Sequence, residues 1–204
     1  MERKILTDPD IVRAFDWLKG FLDSKQWEQR KSQIESYLNN TLAAKKSRDD
    51  AKEFKSIAID KDRIGWYLYL TEMYLYSPHK YEPIQGARVI PIFKRLGIDL
   101  DILQTIKGVD ERVRKLLFSE RNNPDSGIFE LTTALLWARN GWEVHFIKEN
   151  PPEKKPDFKA IYNTDEWYVE CKRLAKSSEY SLNERKKWLS MWKQVRNALI
   201  DSKL

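Results

Sequence analysis

Two carboxylates and a lysine near the C-terminal end have the clearest chemical potential in this sequence. Asp157 directly follows Pro156, and Glu170 and Lys172 stand two residues apart further along the chain. Converging carboxylates supply the oxygen ligands that a hard cation such as Mg²⁺ prefers, and water completes its coordination. A lysine beside that water can orient or deprotonate it as the attacking nucleophile. These residues therefore predict metal-assisted hydrolysis.

Three predicted strands have to position these side chains. They cover residues 142–147, 157–162 and 167–173, and the polar turn 163–166 joins the last two. Because side chains alternate between the faces of a strand, Glu170 and Lys172 should share one face of the third strand. A tight hairpin would bring Asp157 on the partner strand close to Glu170.

A helix is predicted just before this sheet. Apolar residues recur at helical spacing over 127–140, and Gly141 follows where a glycine often ends a helix. Glu130 lies on this helix and could add a third carboxylate to the group.

The order of these residues resembles the PD-(D/E)xK nuclease superfamily, which has the restriction-endonuclease-like fold. The resemblance rests on Pro156-Asp157, on Glu170-Cys171-Lys172 and on the helical Glu130, and it covers roughly residues 127–199. It implies that Asp157, Glu170 and Glu130 bind Mg²⁺, with Mn²⁺ as a substitute, and that Lys172 handles the water. All four residues would then be catalytic, in a metal-dependent endonuclease that acts on DNA.

Other interpretations of these residues remain open. The end of the third strand could be a solvated edge carrying an ion pair, since charged residues commonly blunt strand edges. The chain could also be an inactive nuclease-fold subunit that binds nucleic acid or assembles through its N-terminal helices. A third possibility is a purely structural helical protein with a charged hairpin. Mg²⁺ binding would distinguish the nuclease and the inactive subunit from the purely structural protein. Turnover would then distinguish the nuclease from the inactive subunit.

The charge of the chain favours a polyanionic partner. Lysine and arginine number 37 against 31 acidic residues, giving a formal charge of +6 and a pI of about 9.2. Basic residues cluster after the predicted third strand, although an ordinary solvated helix face would look the same. The candidates for nucleic-acid binding are Arg173, Arg185, Lys186, Lys187, Lys193 and Arg196.

Helical periodicity dominates the first half of the chain. Helices are predicted over 10–22, 24–44, 62–77, 87–96, 99–106 and 110–118, with a loop at 81–86 and a turn-rich break at 121–125. Gly97 is expected to end the helix over 87–96. The segment 62–77 is apolar nearly all round, which predicts a central buried helix. We therefore expect an α/β (α+β) protein: an all-helical region at 1–122 and a nuclease-like domain at 123–204, with a small mixed sheet flanked by helices.

The remaining features of the sequence concern the cellular compartment and the oligomeric state. No apolar run approaches the roughly 20 residues that a bilayer-spanning helix needs, and no signal peptide is evident, so a soluble cytoplasmic protein is expected. The single cysteine, Cys171, suits a reducing compartment. His79 and His145 are isolated and are interpreted as structural. A last helix is predicted over 182–200, and because three strands make a small sheet, we expect either a missing C-terminal part or a homodimer.

Overall fold

The protein is a mixed α+β protein in which helices dominate. The computed structural model describes residues 8–46, 59, 61–148, 155–172, 187, 190 and 191. The helices are α1 (Pro9–Lys19), α2 (Ser24–Lys46), α3 (Arg63–Tyr76), α4 (Pro83–Ile98), α5 (Leu100–Thr105), α6 (Val109–Phe118) and α7 (Pro124–Arg139), and a 3₁₀ turn covers Pro78–Lys80. The strands are β1 (Glu143–Phe146), β2 (Phe158–Tyr162) and β3 (Asp165–Val169). None of the described helices is both long and apolar enough to cross a bilayer.

The central helix α3 is buried as its composition predicts. It packs against α1, α2, α4 and α6, and Leu68 and Leu70 are fully buried. The buried hydroxyl of Thr71 donates to the Tyr67 carbonyl oxygen at 2.9 Å, so this polar group is satisfied within the helix. The Asp62 carboxylate accepts from Gly65 N at 3.1 Å and caps the helix start.

Helix α4 begins earlier and ends later than the sequence predicts. The expected loop at 81–86 is wrong from Pro83 onward, because Pro83 occupies the first helical turn, where its missing N–H costs nothing. The Glu82 carboxylate accepts from Ile84 N at 2.9 Å and from Gln85 N at 2.8 Å. Gly97 does not end this helix either, since α4 continues to Ile98.

Gly97 instead permits a close helix crossing. A Cβ atom at this position would lie 1.8 Å from the carbonyl oxygen of Asp10 in α1. Lys94, one turn earlier, donates to the Asp10 carboxylate at 2.6 Å. The glycine that looked like a helix terminator is therefore the contact point between α1 and α4.

The three described strands form an antiparallel sheet in the order β1-β2-β3, so the expectation of a mixed sheet is wrong for them. A two-residue turn, Asn163-Thr164, joins β2 to β3 and places Asn163 at φ 53°, a conformation that asparagine tolerates. The expected turn at 163–166 is therefore too long, and β3 begins at Asp165. Phe158 and Ala160 of β2 are fully buried, and the Phe158 ring centroid lies 6.4 Å from that of Trp137 in α7.

A residue from the α5–α6 connection extends the sheet on the outer side of β1. Lys107 N donates to Val144 O at 3.1 Å, and Phe146 N donates to Lys107 O at 2.9 Å. This forms an isolated parallel bridge between Lys107 and His145.

The chain divides into two compact units, Met1–Cys171 and Lys172–Leu204. The first unit runs across the predicted boundary between residues 122 and 123 and contains the seven helices, the 3₁₀ turn and the three strands named above. In the second unit Lys187, Ser190 and Met191 are helical and exposed; the rest of the predicted helix at 182–200 lies outside the described residues.

Candidate functional site around Asp157

Asp157 is held by hydrogen bonds on both of its strand neighbours. Its N–H donates to Val169 O at 2.9 Å, and its carbonyl oxygen accepts from Ile147 N at 3.0 Å. Its side-chain Oδ2 accepts from Cys171 N at 2.5 Å. Backbone and side chain are both engaged, so this half-buried carboxylate has a fixed position where β1, β2 and β3 meet.

That last hydrogen bond explains why β3 is shorter than predicted. The ladder between β2 and β3 ends at the pair Phe158–Val169, and the next N–H, of Cys171, bonds to a side chain instead of the partner backbone. The expected third strand over 167–173 is therefore wrong at residues 170–172, which follow β3, and Arg173 lies outside the described residues. Asp157 and Glu170 are the next residues on either side of the last pair, but regular strand alternation no longer fixes where Glu170 points.

Glu130 approaches the same place from α7. Its side chain is 14 % exposed, and Oε2 accepts from Arg112 Nε at 2.5 Å. Burial raises the pKa of Glu130, the Arg112 guanidinium opposes the rise, and the negative charge of Asp157 adds to it. The two carboxylates are thus close enough to repel each other.

Cys171 lies next to both acids. Burial raises the pKa of its thiol to about 11, and the charges of Asp157 and Glu130 contribute to the rise. A hydrogen bond with the Thr133 hydroxyl acts in the opposite direction. The half-buried thiol is therefore neutral near neutral pH and lies beside α7.

The other predicted catalytic residues are at the surface. Glu170 and Lys172 follow β3 and are both exposed, and Lys172 is the first residue of the second unit. In the structure the charge of Asp157 therefore acts on Glu130. Glu170 is near Asp157 only in that the two residues follow the last paired residues of β2 and β3.

The predicted magnesium site fits these residues in part. Carboxylate oxygens are suitable ligands, and the repulsion between Asp157 and Glu130 is what a cation would relieve. Each of these carboxylates, however, already has one oxygen in a hydrogen bond. In the part of the chain that the structure describes, no three His, Cys, Asp or Glu side chains are arranged to hold a metal ion.

Arg112 is the site residue that sequence reasoning missed. It is 7 % exposed and joins Glu130 to Glu120, whose carboxylate is 2.8 Å from Nη2. Burial is the largest single influence on the pKa of Glu120 and tends to raise it, but the charges and hydrogen bonds of Arg112 and Lys115 together outweigh burial, and the net shift is downward. A Cβ at Gly127 would lie 2.7 Å from Nη2, so this glycine makes room for the guanidinium. The available signal was an arginine on the apolar face of α6, between Val109 and Leu116.

Of the six basic residues predicted to bind nucleic acid, the structure describes only Lys187. The other five lie outside the described residues: Arg173, Arg185, Lys186, Lys193 and Arg196. Lys187 is exposed on a helical segment.

Comparison with known proteins adds no relative: no family model matches the chain, and neither a curated protein nor a solved structure matches it.

Proposed function

We propose that this protein is a metal-dependent nuclease that hydrolyses phosphodiester bonds in DNA. The observation that carries the proposal is the fixed carboxylate of Asp157, whose negative charge acts on the mostly buried carboxylate of Glu130. The order α7, β1, β2, β3 also agrees with the helix, strand and hairpin on which the resemblance to the restriction-endonuclease-like fold rests.

Each residue has a distinct role in this proposal. Asp157, Glu130 and Glu170 would hold Mg²⁺, which would stabilise the negative charge that develops on the phosphate. Asp157 is rigid because three hydrogen bonds hold it, and rigid ligands keep a reacting group in a productive geometry. Lys172, two residues after Glu170, would orient the attacking water.

The decisive experiment is cleavage of plasmid and single-stranded DNA in Mg²⁺, in Mn²⁺ and in EDTA. Asp157→Asn should lose both metal binding and cleavage, whereas Lys172→Ala should keep metal binding and lose cleavage by at least about a hundredfold, as expected for a residue that assists proton transfer. Asp165→Asn makes the same chemical change as Asp157→Asn at an exposed position of the same hairpin, and it should cleave normally. Equal activity in all four proteins would show that cleavage comes from elsewhere.

One observation favours a second candidate function. The Oε2 atom of Glu130 is bonded to Arg112, and a carboxylate held by a buried guanidinium is a weaker metal ligand than one facing only water. The alternative is an inactive nuclease-fold subunit that binds nucleic acid or assembles without turnover. DNA binding in EDTA, with no cleavage in either Mg²⁺ or Mn²⁺, would identify it.

A further inference from the structure

A second charged cluster lies at the start of α7, outside the candidate site. Asp125 is in the first turn of α7, and its side chain is 6 % exposed. Its Oδ2 is 2.9 Å from Arg88 Nη2 of α4 and 3.4 Å from Arg63 Nη2 of α3. Its Oδ1 accepts from the Tyr67 hydroxyl at 2.7 Å. One buried carboxylate thus draws two arginines from different helices to the same point.

Among the described residues, the charges of this cluster do not balance. The described charged groups that act on the buried Tyr67 hydroxyl are Asp125, Arg63 and Arg88, and their charges sum to one net positive charge. The Arg63 and Arg88 side chains remain 30 % and 49 % exposed, so the surplus charge reaches solvent. Two guanidinium groups held this close repel each other unless a second anion joins them.

Each arginine is also prepared for such an anion. A guanidinium carries five N–H donors in a rigid fork, and Asp125 Oδ2 uses Nη2 of each. Orienting the forks in advance reduces the entropy that is lost when a ligand binds. Arginine is well suited to phosphate because the fork matches two phosphate oxygens.

We propose that Arg63 and Arg88, oriented by Asp125, form a phosphate-binding site for the DNA backbone. The choice of DNA rests on the proposed function; the chemistry that the cluster recognises is a phosphate group. A third basic residue, Arg121, is exposed nearby, and its carbonyl oxygen accepts from Ile64 N at 3.0 Å in the first turn of α3.

The test measures binding of a fluorescein-labelled DNA duplex in EDTA, where cleavage does not interfere. Arg88→Gln should weaken binding about tenfold, as expected for a lost charge-assisted hydrogen bond, and should lower the slope of log affinity against log salt by about 0.9. The matched control is Arg13→Gln, which removes the same single positive charge from a 41 % exposed side chain that is paired with Asp101 at 2.6 Å, outside this cluster. Affinity and slope should not change in that control.

A second variant guards against misfolding, because removing Arg88 takes a partner from a buried carboxylate. Arg63→Gln removes the longer contact and should be tolerated better, with the same loss of affinity and slope. If both variants bind as Arg13→Gln does, the proposal is wrong. If Arg88→Gln weakens the binding of inorganic phosphate but leaves the affinity for the duplex unchanged, a small phosphate compound is the ligand and the assignment to DNA is wrong.

The two proposals can fail separately. If both variants lose affinity in EDTA but the parent protein never cleaves DNA in Mg²⁺ or Mn²⁺, the phosphate site stands and the nuclease assignment falls. If the parent protein cleaves DNA and neither arginine substitution changes its affinity for DNA, the nuclease assignment stands and the phosphate site falls.

Discussion

Cys171 is a chemical reporter of the charges around Asp157. Its thiol pKa lies at about 11, compared with an ordinary value of 9.0. At about pH 8 this higher pKa lowers the thiolate fraction about a hundredfold. A thiolate of higher pKa is also more nucleophilic, which recovers part of the loss. Alkylation should therefore be about tenfold slower in the folded chain than in the unfolded chain. The measurement is the iodoacetamide rate with and without denaturant, and the chain offers a clean readout because it has one cysteine.

Replacing the neighbouring charge should reverse part of this protection. Asp157→Asn removes a negative charge that raises the pKa of the thiol and should speed alkylation, whereas the exposed Asp165→Asn should leave the rate unchanged. Mg²⁺ bound at Asp157 should speed it too, which tests metal binding without any cleavage. A native rate equal to the denatured rate would contradict the structure at this residue.

The same thiol has a consequence for stability. Its proton is held more tightly in the folded chain than in the unfolded chain, so the unfolded state loses it first as pH rises. The contribution of Cys171 to stability is therefore complete below about pH 9 and declines as the pH rises from about 9 to about 11.

At the residue scale, the sequence suggested which carboxylates would interact, but not the groups that hold them. Residue type and order are enough to suggest Asp157 and Glu130 as neighbours, because a helix followed by a hairpin brings them to one place. The partnership of Arg112 with Glu120 and Glu130 depends on how α6 packs on α7, and no local pattern encodes that packing. The bond from Cys171 N to the Asp157 side chain was equally invisible.

At the element scale, Gly97 gives the sharpest expectation. Alanine is the better helix former by about 1 kcal/mol, but its Cβ would lie 1.8 Å from Asp10 O, which α1 cannot accommodate without moving. Overpacking of this kind costs about 1–3 kcal/mol, so Gly97→Ala should destabilise the protein. Urea denaturation measures the change.

Gly20→Ala is the comparison for this prediction. Gly20 has right-handed helical backbone angles, and its Cβ would lie 3.2 Å from Asp16 O, a contact that a small shift relieves. Its free energy of unfolding should change by less than that of Gly97→Ala. If Gly97→Ala were as stable as the parent, the close crossing of α1 and α4 would be incorrect.

Glycines also show why element boundaries were only partly predictable. Gly97 and Gly141 both follow apolar helical runs, and both look like terminators in the sequence. Gly141 has φ +87° and does end α7, whereas Gly97 lies inside α4. The difference is tertiary: Gly97 meets another helix, and the sequence around it does not contain that information. The hairpin was predictable in kind, but the left-handed Asn163 shortened its turn.

At the scale of the whole molecule, the first unit contains a core of its own. Among the described residues the buried apolar side chains lie between Ile11 and Ala160. A chain that ends at Lys172 should therefore unfold in one cooperative transition. Calorimetry or thermal circular dichroism measures this, and a broad, non-cooperative melt would show that residues 173–204 complete the core.

The chain that ends at Lys172 also distinguishes the two regions that are predicted to bind DNA. It lacks Arg173, Arg185, Lys186, Lys187, Lys193 and Arg196 but keeps Arg63 and Arg88. We expect weaker binding than in the full chain, with the remaining affinity still sensitive to Arg88→Gln.

The Lys107 bridge makes the two edges of the sheet unequal. On the outer side of β1, the main chain of Lys107 uses an N–H and a carbonyl oxygen of the strand, whereas no strand within the described residues lies beyond β3. Strand addition by a peptide or another chain therefore has one available edge. Two molecules joined through β3 would each use the other's open edge, so that growth would stop at a twofold pair and not continue into a filament.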